Sequence, residues 1–136
     1  MEEKLKPIKI IHLALCFGVA IAYAVLVDFK TLEFLNFNAI ETTDYIFILV
    51  PVAAILLGNF LYTQQLKSAD KNLKLEEKIG VYQTAMLIRL ALLEGAAFFI
   101  LFIKKELIIL GLFLIFYMLF LRPSENAMKR DFDAVK

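Results

Sequence analysis

Two ionisable residues interrupt one of the long apolar runs of this chain: Arg89 and Glu94, in Leu87-Ile88-Arg89-Leu90-Ala91-Leu92-Leu93-Glu94-Gly95-Ala96-Ala97. A charge near the middle of a bilayer-spanning helix costs roughly 2.5–3.5 kcal/mol on insertion scales, so such groups must face protein, water or one another. For a core crossing over residues 83–103, Glu94 falls near the midplane and Arg89 about 7.5 Å toward the cytoplasmic side. Five residues at 3.6 per turn place them about 140° apart, so they are not an i,i+4 pair. Arg89 is expected either to bend toward Glu94 or to pair with a neighbouring helix or another subunit. Gly95, Ala96 and Ala97 leave room for a second helix to approach closely beside the carboxyl. Two chemistries follow. One is a proton- or cation-binding carboxylate with Arg89 as counter-charge or gate. The other is an intramembrane ion pair that fixes helix register or holds an oligomer together.

Weaker polar groups lie in the cytoplasmic half of the runs. His12 and Cys16 are four residues apart and share a face; Asn59, Gln83, Thr84 and Tyr117 complete the set. Rise per residue puts His12, Asn59 and Arg89 at similar depths, so a small polar cluster around Arg89 is expected. Interhelical hydrogen bonding is the ordinary role for such groups. His12 and Cys16 supply two metal ligands where stable sites take three or four, so no metal is expected. No phosphate-binding glycine loop, nucleophile elbow, paired-cysteine motif or His-Glu metalloprotease motif is present, and no basic block is interleaved with aromatics. The expectation is a non-enzymatic protein with no cofactor and no nucleic-acid partner.

The elements that position these residues are read from hydropathy. The chain has 136 residues, is 61% hydrophobic with 13 Phe, and has a mean hydropathy of +0.74. Its 15 Lys and Arg and 14 Asp and Glu are segregated between apolar runs, which suits lipid in the middle and water at the ends. The runs are 8–27, 45–62, 81–103 and 107–121, followed by a tail over 122–136. All are expected to be helices, because backbone groups in hydrocarbon need partners within their own segment. The fold class expected is all-α, an integral membrane four-helix bundle with a short amphipathic C-terminal helix. The fourth run is short; it either crosses with Glu106 and Arg122 snorkelling at its ends or dips in without crossing. Pro51 is expected to kink the second span and free a carbonyl.

Lys4, Lys6 and Lys9, then Lys67, Lys71, Lys74 and Lys78, then Arg122, Lys129, Arg130 and Lys136 gather on one side of such a topology; Lys30, Lys104 and Lys105 fall on the other. The bias predicts both termini on the cytoplasmic side of the inner membrane. A signal-peptide reading of the first run is disfavoured, since Val25-Leu26-Val27 continue past the small-residue pattern Ala22-Tyr23-Ala24. The segment 28–44, with Phe29, Leu32, Phe34, Leu35 and Phe37, is expected to lie amphipathically in the headgroup zone, as an anchor or as a docking surface. Lys104-Lys105-Glu106 is short enough to force the third and fourth helices into an antiparallel hairpin. Beyond Arg122-Pro123, Ser124 is expected to cap a helix whose Met128, Phe132 and Val135 share one face, resting on the membrane or on the second loop.

Tyr82 to Ala97, together with Arg122-Pro123-Ser124 and the helix after it, resembles small bacterial four-span membrane proteins over roughly the C-terminal half of the chain. That resemblance implies a four-helix membrane family and supplies no activity. Ala91-Leu92-Leu93-Glu94-Gly95-Ala96 also resembles the carboxylate-bearing helix of rotary ATPase proteolipid subunits, which implies Glu94 as a proton or sodium ligand. This chain departs from that pattern in having only Gly18 in its first run and an additional charge at Arg89. Two functions are therefore carried forward: a membrane subunit or accessory protein that assembles through intramembrane polar contacts, as a homo-oligomer or within a membrane-protein complex, and a small proton- or cation-coupled transport component using Glu94.

Overall fold

A computed structural model describes residues 2–26, 46–103 and 108–135. All its regular structure is helical: α1 (Glu2–Leu26), α2 (Leu49–Lys67), a 3₁₀ turn (Leu75–Lys78), α3 (Ile79–Ile103), α4 (Ile108–Phe120) and α5 (Glu125–Ala134). Three helical stretches, Glu3–Leu26, Ile46–Lys67 and Leu75–Ile103, are long and apolar enough to cross a bilayer. The amphipathic segment read over 28–44 and the turn Lys104-Lys105-Glu106 lie outside the described residues.

α3 is the central helix, packed on α2, α4 and α1. Its buried residues, including Tyr82, Met86, Arg89, Leu93, Ala97 and Ile100, recur at three- and four-residue intervals. This is the spacing of one face of a 3.6-residue helix. α1 turns Leu5, Ile8, His12, Cys16, Val19 and Tyr23 inward, and leaves Ile10, Leu13, Phe17, Ile21 and Val25 exposed. Both faces are apolar, so helical amphipathicity gives way to a polar-poor exterior, an arrangement compatible with lipid as the surrounding medium.

Small residues set the close approaches. α2 buries Pro51, Ala54 and Gly58 on the stripe that continues to Tyr62 and Leu66. At the other end of the bundle, Tyr23 donates to the Ala97 carbonyl at 2.5 Å. A Cβ on Gly111 would collide with the Tyr23 hydroxyl, so only glycine lets α4 pass there. Ala97 near the end of α3 and Gly111 near the start of α4 thus meet one tyrosine, as antiparallel neighbours must.

The helices run past the apolar limits read from hydropathy. α1 begins at Glu2 and α2 continues to Lys67, because helical hydrogen bonding extends through polar ends that hydropathy does not mark. Ser68 closes α2, its hydroxyl donating to the Gln65 carbonyl at 2.6 Å. Pro51 is the third residue of α2, in its first turn, a position that tolerates proline well.

α4 ends at Phe120, and α5 leaves it at 97°. The break falls at Arg122-Pro123, after which Ser124 caps α5 by accepting from the Ala127 N–H at 3.0 Å. Met128 and Phe132 are buried and Val135 packs against the core, so the expected face of α5 is the one that docks. It rests at the end of the bundle that carries the α2–α3 connection, with the Lys78 ammonium 5.1 Å from the Phe132 ring centre.

Candidate functional site

Arg89 faces α2. Its Cα and Cγ lie against Gly58, whose missing side chain lets the α3 backbone come near. The guanidinium stacks on Tyr62, with Cζ 3.6 Å from the ring centre, a cation–π contact strengthened by exclusion of water. Nη2 donates to the Met86 sulfur at 3.2 Å, and Nη1 makes a long contact of 3.5 Å with the Asn59 amide oxygen. Nε is buried and has no hydrogen-bond partner. Among the described residues no carboxylate lies within ion-pair distance of Arg89, although the residue is only 9% exposed.

The polar cluster expected around Arg89 is partly assembled. Asn59 donates to the Tyr117 hydroxyl at 3.1 Å, which links α2 to α4 beside the guanidinium. His12 is elsewhere: its Nε2 donates to the Met118 carbonyl at 2.7 Å, with the Cys16 sulfur 3.6 Å from the same nitrogen. The rotation of α1 about its axis turns His12 toward α4 rather than toward Arg89. Gln83, half-buried on α3, makes no hydrogen bond among the described residues.

Two residues complete the surroundings of Arg89 that sequence reading did not single out. The Tyr62 hydroxyl donates to Oδ2 of Asp131 at 2.6 Å, and Oδ1 of the same carboxylate accepts from Arg130 Nε at 3.2 Å. Guanidinium and carboxylate are therefore held by one phenol, on its face and at its hydroxyl. A cavity of about 220 Å³ opens beside them, lined by Asn59, Tyr62, Thr63, Leu66, Arg89, Asp131, Ala134 and Val135. The available signals were the spacing of Gly58, Asn59 and Tyr62 on α2 and the position of Asp131 at the edge of the Met128–Phe132–Val135 face.

Glu94 is separate from this site. It is half-buried, without a hydrogen bond or ion pair among the described residues, and within electrostatic reach of the Cys16 thiol on α1. An ion pair with Arg89 inside the chain does not form, because the 140° offset directs one side chain to α2 and the other to the α1 side. Its neighbour Gly95 is open, with nothing near where a Cβ would stand. Comparison with protein-family models, with curated proteins and with solved structures returns no match.

Proposed function

We propose that this chain is a non-enzymatic, multi-pass membrane subunit or accessory protein, a four-helix bundle with both termini cytoplasmic, that assembles through intramembrane polar contacts. The observation that carries the reading is Glu94. A carboxyl near the middle of a long apolar helix, at the border of the packed face and without a partner among the described residues, favours a partner from outside them. Beside it, Ala91 and Gly95 are exposed and small, so another helix can come within reach of the carboxyl. Either a second copy or a different membrane protein can supply the donor.

The test is a native gel of protein extracted in mild detergent. Wild type is expected in a complex and Glu94→Ala as a smaller species. A wild type that runs as a partnerless monomer sinks the proposal. The transport reading uses the same carboxylate and is separated from it in proteoliposomes. Proton or cation flux that is lost in Glu94→Gln would favour transport, and equal, ion-independent behaviour of wild type and variant would remove it.

A further inference from the structure

We infer that the cavity between α2, α3 and α5 is a headgroup site for an amine-bearing phospholipid, with the phosphate taken by Arg89 and the ammonium by Asp131. The inference does not rest on Glu94. Arg89 is nine-tenths buried, lines the cavity, has a buried Nε without a partner among the described residues, and is offered by them only a long amide contact, a thioether and a ring face. A guanidinium so placed has been withdrawn from water without an anion among the described residues to replace it, and phosphate oxygens match its donors.

The second charge narrows the occupant. Asp131 also lines the cavity; one oxygen accepts from Tyr62, the other is ion-paired with the exposed Arg130, and each keeps further acceptor capacity. A bare anion would meet repulsion from Asp131, and a bare cation would meet Arg89. A group carrying both signs suits both walls, and a primary ammonium can donate to the carboxylate where a quaternary one cannot. Location agrees. Tyr62 and Thr63 stand a few residues before the polar end of α2 at Lys67, and α5 lies across that end. In a bilayer-embedded bundle this is the boundary between acyl chains and headgroups.

The same chemistry could come from a membrane lipid or from free phosphoethanolamine, and the experiment separates them. Full-length protein in nanodiscs of mixed phosphatidylethanolamine, phosphatidylcholine and phosphatidylglycerol is released for native mass spectrometry, and the retained lipids are counted. Wild type is expected to retain phosphatidylethanolamine about tenfold over the other two, the ratio that one charge-assisted hydrogen bond supplies. Arg89→Gln is expected to lose retained phospholipid. Asp131→Asn keeps an acceptor for Tyr62 and lies on the rim, so the fold should persist; it is expected to reverse the preference toward phosphatidylglycerol. Equal retention of the three lipids by wild type, or an unchanged preference in Asp131→Asn, overturns the inference. Displacement of bound lipid by equimolar soluble phosphoethanolamine overturns the membrane source.

Discussion

Arg89 and Tyr62 form a stacked pair, with the guanidinium carbon 3.6 Å from the ring centre and the hydroxyl on the far edge of the ring committed to Asp131. The two halves of this arrangement separate by substitution. Tyr62→Phe keeps the stack and removes the bond that ties α5 to α2. It should cost about 1.5–3 kcal/mol, the range for a hydrogen bond to a charged group, and should raise protease sensitivity within 125–134. Tyr62→Leu removes the stack as well and should cost about 1–2 kcal/mol more. Equal losses in the two variants, measured by thermal unfolding in detergent, would mean that the stack contributes nothing.

The contact of Tyr23 with Gly111 predicts a strongly non-additive pair. Gly111→Ala puts a methyl where the phenol stands and should destabilise by roughly 1–3 kcal/mol. In a Tyr23→Ala background the same change should be close to neutral, since the clash is gone. Additive unfolding free energies in the double-mutant cycle would contradict the geometry.

At the other end of the bundle, the Lys4 ammonium lies 2.6 Å from a Glu76 carboxylate oxygen, which brings the start of α1 to the α2–α3 connection. Cysteines introduced at the two positions should cross-link in intact membranes, and both should react with a reagent confined to one side. The hydrogen bond from Lys4 holds the Glu76 carboxyl below its usual range. A lowered folded-state value means stability that is present above the unfolded carboxylate pKa, about 4.3, and lost as pH falls through the folded one. The pair is exposed, so added salt should erase this acid dependence. Cysteines that react from opposite sides would refute the shared end.

Ser124→Ala removes the acceptor for the Ala127 N–H. It should cost about 1 kcal/mol of α5 stability, visible as faster amide exchange over 125–134 with α3 unaffected. Ser124→Asp should preserve protection, because a carboxylate caps equally well and suits the positive helix end. Loss of protection in both variants would show that the cap is not what holds α5.

Depth along a helix was legible in the sequence; rotation about its axis was not. Rise per residue placed Asn59 level with Arg89, and it lies beside it, bonded to Tyr117. His12 was level too, yet α1 is rotated so that His12 meets the Met118 carbonyl. Hydropathy marked where the chain is apolar, so it stopped short of the helical ends at Glu2 and Lys67. The docking face of α5 followed from the spacing of Met128, Phe132 and Val135. The bond between Tyr62 and Asp131 did not, because it depends on the 97° turn after α4, a tertiary angle that local propensity does not encode.

The shortness of α4 bears on the membrane itself. Its described residues, Ile108–Phe120, measure about 20 Å, against about 30 Å for a typical hydrocarbon layer. The α1, α2 and α3 stretches around it are long enough for the full thickness. If α4 crosses beside them over this length alone, the bundle is lopsided, and lipids flanking α4 must shorten or tilt to meet it. Thin bilayers would relieve that strain, so reconstitution across a series of acyl-chain lengths should favour shorter chains than the longer helices alone would choose.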